Sequence, residues 1–223
     1  MRLQVFCNQK SLRGQENQIT KEEVRKIIEE HLEKIKDSNK IEVAFFGGSF
    51  TGIDTDEQNM YLSVANEFFY DKRINGIRIS TRPDYITEEI LNNLKNKGVT
   101  TIELGVQSMV DRVLWMNKRG LTKDATINAV KLIKKYNFKL GLQMMIGMYG
   151  SDEEADIYTC NEIINLQPDF VRIYPTVVIK ETELYKLYEK PFFSNEKNGF
   201  SILSGEYINI KFNNSFQTRI LSR

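Results

Sequence analysis

The chain holds only two cysteines, Cys7 and Cys160, and one histidine, His31, in 223 residues. Two thiols cannot form a disulfide framework, nor complete an all-cysteine metal site within one chain. A lone histidine restricts any Ser-His-Asp or Cys-His arrangement to His31. That residue sits among Glu29, Glu30 and Glu33 and reads as a solvated side chain, so hydrolase triads are excluded. Long apolar runs are also missing. The longest are strand-sized pieces such as Ile41–Phe46, far below the roughly 20 residues of a spanning helix. The N-terminus, Met1 to Cys7, has polar Gln4 in place of an apolar signal core, and the expectation is a cytoplasmic protein with no membrane contact. Charge of one sign is absent as well: 31 Lys and Arg face 30 Asp and Glu, for a net +1. No global field draws the chain to nucleic acid or lipid, and any such contact must be local. With 41% hydrophobic residues, the composition is that of a globule.

What is present is an alternation. Helical spacing runs through Thr20–Lys36, with Thr20 and Glu23 as a capping box. A buried-strand run, Ile41–Phe46, ends at Gly47-Gly48. Further helices are predicted at Asp54–Tyr70, Thr87–Asn96, Val110–Asn117, Thr122–Tyr136 and Asp152–Leu166. Further strands are predicted at Ile77–Ser80, Thr100–Val106, Phe138–Met145 and Phe170–Tyr174. Short strands separated by helices of ten or more residues mean βαβ units and a parallel sheet. The order opens on a helix, whereas a βα barrel opens on a strand. Near Lys180 the pattern stops. Residues 1–180 therefore read as the packed domain and 181–223 as a C-terminal extension in which only Gly205–Phe212 has strand character.

Parallel α/β sheets bind ligands at the carboxyl ends of their strands. The residues there are Gly47-Gly48-Ser49, then Ser80 to Asp84, then Gln107-Ser108, then Gln143 with Gly147 and Gly150, then Tyr174-Pro175-Thr176. Glycines and polar residues end strands for purely structural reasons too, but five successive occurrences favour a binding rim.

Several segments carry a resemblance. Cys7-Asn8-Gln9-Lys10, Phe45-Phe46-Gly47-Gly48-Ser49-Phe50 and Gly76 to Tyr85 resemble the radical S-adenosylmethionine (radical SAM) superfamily. So do Glu103 to Ser108, Asn117-Lys118-Arg119-Gly120 and Ile173 to Lys180. Within it they are similar to bacterial relatives of the Elongator catalytic subunit. The resemblance covers roughly residues 5 to 189. It implies an α/β fold, a partial (β/α)6 TIM-like barrel, here without its first strand. It also implies a [4Fe–4S] cluster held by three cysteines spaced C-x3-C-x2-C, S-adenosylmethionine as cofactor, its reductive cleavage as the chemistry, an electron donor, and tRNA as substrate class. Residue by residue, Cys7 corresponds to the last cluster cysteine. Gly47, Gly48 and Ser49 correspond to the loop meeting the methionyl amino group. Gln107 and Arg119 correspond to ribose and methionyl contacts, and an arginine suits a carboxylate. Gln143 and Ser80 stand where some relatives place carboxylates for the ribose.

Two departures follow. Gln4 stands where the second cluster cysteine belongs, and the first would precede Met1. Glutamine is no substitute for a thiolate on iron, so these 223 residues alone are expected to be inactive. The alternatives are a non-catalytic barrel fragment or an ordinary barrel enzyme acting on a phosphorylated small molecule. The strand Ile41–Phe46, apolar on both faces, would be left as an edge. Poor solubility is expected unless Gly205–Phe212 covers it. Other features read as structural. Cys160 is an apolar filler, Trp115 and Met116 are packing, and Lys131, Lys134, Lys135 and Lys139 form a solvated face. Glu103, in a strand, reads equally as structural or functional, and as a buried carboxylate it needs a partner that Arg78 or Arg172 could supply.

Overall fold

The computed structural model describes residues 19–35, 41–46, 48–179 and 182–188. Its elements are α1 (Lys21–Lys34), β1 (Glu42–Phe45), α2 (Thr55–Tyr70), β2 (Gly76–Thr81), α3 (Glu88–Asn96), β3 (Thr101–Gln107), α4 (Asp111–Met116), α5 (Lys123–Lys135), β4 (Lys139–Ile146), α6 (Glu153–Asn165), β5 (Phe170–Pro175) and α7 (Glu183–Tyr188). One sheet has the order β1-β2-β3-β4-β5. The pairs β1–β2, β2–β3 and β4–β5 are parallel. Among the described residues β1 stands at one end of that order, paired with β2. The Gly205–Phe212 expectation, like those at Cys7 and Gly47, lies outside the described residues. No described helix is long and apolar enough to cross a membrane.

The helix boundaries follow from their caps. Thr20 accepts from the Glu23 amide at 3.2 Å while Glu23 accepts from the Thr20 amide at 2.7 Å, the reciprocal pair that starts α1. Asp54, Thr87 and Asp152 cap α2, α3 and α6 with their side chains. The exits are left-handed: Lys72, Gly98, Lys118, Asn137 and Gln167 all have positive φ two residues past a helix, each helping to satisfy the last carbonyls.

The chain divides into two compact units. The first takes the described residues of Arg13–Leu104 and Asn128–Leu140, the second those of Gly105–Ile127 and Gly141–Arg223. In the first, β2 alternates. Ile77, Ile79 and Thr81 are buried, while Arg78 and Ser80 are half-buried. Register pairs Phe45 with Ile79 and Ile79 with Ile102 on the apolar face. That face joins the unit's buried core, to which α2 contributes Leu62, Val64, Ala65 and Phe68, and α3 Leu91 and Leu94. The opposite face is polar: Ser80 stands beside Glu103, and Arg78 beside Thr101. In the second unit, Leu142 pairs with Val171 on one face and Gln143 with Arg172 on the other. Val113, Met148 and Ala155 form a small core joining α4, the loop after β4 and α6. Leu184 of α7 is fully buried.

Candidate functional site

In the first unit the loop after β1 carries Gly48 and Ser49. One turn of 3-10 helix, Phe50–Gly52, follows, closed by the Gly52 amide donating to the Ser49 carbonyl at 2.9 Å. This loop is fastened to the one after β2. The Thr51 and Thr81 hydroxyls share a hydrogen bond of 2.6 Å, and Thr51 also donates to the Tyr85 carbonyl at 3.2 Å. Gly52 leaves the room that Tyr85 fills, since an added Cβ would lie 2.9 Å from its ring. Arg82 and Asp84 form a two-pronged pair at 2.8 and 2.7 Å, which holds the guanidinium firmly protonated. Ser80 is the next-to-last residue of β2, on its polar face. Glu103, fully buried, finds its cation in Arg78 at 3.8 Å, and Arg78 also binds Glu42 of β1. Arg78, one of the two partners foreseen for Glu103, thus lies at ion-pair distance from it. It ties three adjacent strands together.

In the second unit Gln107, the last residue of β3, is 7% exposed. Its φ is +71°, and the Ser108 amide donates across it to the Val106 carbonyl at 3.0 Å. A hydrogen bond from i+2 to i around a positive-φ residue is the strained form of γ-turn. Gln107 is the only positive-φ residue outside a helix exit that is neither glycine nor flanked by one, among the described residues. Its Oε1 is buried with no protein partner. The turn is held from α6: the Thr159 hydroxyl accepts from the Met109 amide at 3.1 Å and bonds the Ser108 hydroxyl at 3.2 Å. Ser108 in turn accepts from the Val110 amide at 3.1 Å. Arg119 is buried and donates to the Gly105 carbonyl of β3 at 2.6 Å. Gln143 lies mid-strand in β4, beside Arg172, which donates to the Tyr174 hydroxyl at 3.2 Å. Gln107 and Arg119 thus both attach to β3, while Gln143 belongs with β5.

The sequence placed Ser108 and Tyr174 at the strand-end rim and offered Arg172 as a partner for Glu103, but it did not single out Thr159. Phe170–Pro175 alternates apolar Val171 and Ile173 with Arg172 and Tyr174. Thr159 gave no signal, its partner lying 51 residues away. Asp156 is a half-buried carboxylate. It accepts from the Gly147 amide at 2.9 Å and the Ser151 hydroxyl at 2.6 Å, and burial raises its pKa. It fixes the loop after β4. Two expectations need correction. Trp115 is not packing: it is 79% exposed, because a six-residue helix that buries Val113 and Leu114 must turn residue 115 outward. Cys160 is only half-buried, and Ile157, one turn before it, is 54% exposed.

Residues 5–160 match the Radical SAM superfamily. The tRNA uridine(34) acetyltransferase of Methanocaldococcus jannaschii is 34% identical over 200 residues, 78% of this chain and 37% of the relative. Elongator complex protein 3 of Dictyostelium discoideum is 30% identical, over 70% of this chain and 32% of the relative. Among solved structures, an Elp3 of Methanocaldococcus infernus with an N-terminal deletion superposes with a TM-score of 0.65 at 32% identity, covering 75% of this chain and 44% of that one. The chain thus spans about a third to under a half of the length of these relatives.

Proposed function

The chain belongs to the radical SAM superfamily, with Elongator-like relatives and the partial TIM-like barrel fold of that family, and from that premise we propose that it binds S-adenosylmethionine for reductive cleavage beside a [4Fe–4S] cluster, with tRNA as the substrate class. A cytoplasmic setting goes with that reading.

Gln107 carries it. A strained residue at a strand's carboxyl end, with a buried acceptor oxygen lacking a protein partner, is the arrangement expected where a ligand supplies the missing donor. The hydroxyl and ammonium groups of S-adenosylmethionine are such donors. Gln107 would take one of them, and Arg119 and Gln143 of the same unit offer further polar groups. When bound, S-adenosylmethionine supplies the one-electron cleavage chemistry; the residues hold it in place and exclude water.

The cluster fits less well. Its corresponding thiol, Cys7, lies outside the described residues. Among those described, Cys160 is the one free thiol, and burial pushes its pKa up, away from the thiolate that iron requires. No group of three metal-binding side chains occurs among them. The donor set of these 223 residues, with two cysteines, does not complete a cluster. For this polypeptide alone the reading is therefore nucleotide binding without turnover.

The test is anaerobic reconstitution of the full chain with iron and sulfide, with calorimetry for S-adenosylmethionine and chromatography for 5′-deoxyadenosine. Saturable binding, weakened about fivefold by Gln107→Ala, is expected, with substoichiometric iron and no product. Absence of binding, or equal binding by the variant, would overturn the reading of the site. Stoichiometric iron with turnover would overturn the reading of inactivity.

A further inference from the structure

Trp115 is the chain's single tryptophan, and α4 presents it to solvent although everything around it is anchored. Val113 and Leu114 are fully buried. The Met116 thioether fills the space a side chain at Gly150 would need. Asn117 donates to the Val113 and Tyr149 carbonyls at 2.8 Å each, and Arg112 to the Gly150 carbonyl at 3.0 Å. The exposure of Trp115 therefore belongs to a fixed helix rather than a frayed one. Tyr149 and Gly150 follow β4, and Arg119, just beyond α4, is fastened to β3. Within this unit α4 thus lies by the loops that leave the carboxyl ends of the strands, the side on which such sheets receive ligands.

The surroundings are polar and cationic. From Asp111 to Lys123 the cations Arg112, Lys118 and Lys123 stand with the carboxylate Asp111, while Arg119 is buried on the Gly105 carbonyl, in a protein of net charge +1 overall. Asp111 and Arg112, four and three positions before Trp115 and so on its side of the helix, and Lys118, three positions after it, are exposed. Lys118 meets Glu183 at 2.5 and 2.6 Å in a solvent-exposed pair, which a phosphate can replace at little cost. A protein-docking tryptophan is normally ringed by other apolar side chains. An aromatic face flanked by cations is instead the arrangement that stacks an unpaired base and meets its phosphates.

We propose that Trp115, with Arg112 and Lys118, is a contact point for single-stranded RNA at the ligand-receiving end of the second unit. This rests on tRNA being the substrate class.

The single tryptophan makes the test direct. Fluorescently labelled tRNA is titrated with the full chain, reading label anisotropy for binding and Trp115 emission for contact. Saturable quenching of the emission is expected. Trp115→Ala should weaken binding about tenfold with unchanged melting temperature, Trp115→Phe should restore most of it, and Lys118→Gln should lower the salt slope by about one. Binding without quenching, and unaffected by Trp115→Ala, would overturn the contact while leaving the substrate class standing. No binding at all would overturn both. A change of oligomeric state in Trp115→Ala would assign the indole to a protein contact and overturn the proposal.

Discussion

The two units treat the polar atoms they bury in opposite ways. In the first, buried polar side chains meet partners from within: Thr51 by hydrogen bonds to Thr81 and Tyr85, Arg82 by Asp84, and Glu103 by an ion pair with Arg78 although neither carboxylate oxygen accepts a hydrogen bond. In the second, the amide oxygens of Gln107 and Asn117 and the hydroxyls of Thr126 and Thr176 are buried without a protein partner. Backbone strain separates the units too. The positive-φ residues of the first, Lys72, Gly98 and Asn137, all lie at helix exits, whereas the second bends β3 through Gln107. A self-satisfied unit has little to gain from a ligand. One that buries unanswered acceptors, at about 1–3 kcal/mol each, is stabilised by binding a ligand that answers them.

The contrast can be broken or sharpened by substitution. The largest effect is expected at Arg78. Arg78→Leu leaves Glu103 buried without its cation and should destabilise the chain by about 3 kcal/mol in urea unfolding. Adding Glu103→Leu should recover much of that loss. A next, opposite effect is expected at Gln107. Glycine adopts positive φ freely, so Gln107→Gly should stabilise by about 1 kcal/mol while lowering affinity for S-adenosylmethionine. A variant that loses both stability and affinity would show that the turn is not strained. Thr51→Val should cost about 1 kcal/mol, visible as faster hydrogen exchange in the Phe50–Gly52 turn. The smallest effect concerns pH. Burial holds the Asp156 carboxyl above its ordinary 3.8, so the folded chain favours the protonated form. Its contribution is greatest below that ordinary value and declines as pH rises through the raised one. Melting temperature measured against pH should fall in the parent relative to Asp156→Asn over that interval.

The strands, helices and caps were legible because they are local: Thr20 and Glu23 announce α1, and alternation marks β2 and β5. The polar groups at the strand ends were legible for the same reason. Three features were not. Which cation serves Glu103 depends on register between β2 and β3. The outward turn of Trp115 depends on a helix too short to show periodicity. The γ-turn at Gln107 depends on a hydroxyl from α6. Each is fixed by residues distant in sequence, which propensity and spacing do not report.

The Thr159 hydroxyl closes a loop of about fifty residues onto the Met109 amide, and long closures form late because their entropy must be met first. The bend at the end of β3 therefore takes its final shape only when α6 has docked. Deuterium uptake at that single amide becomes a clock for the arrival of the sixth helix, and any chain shortened before residue 159 would leave the bend unformed.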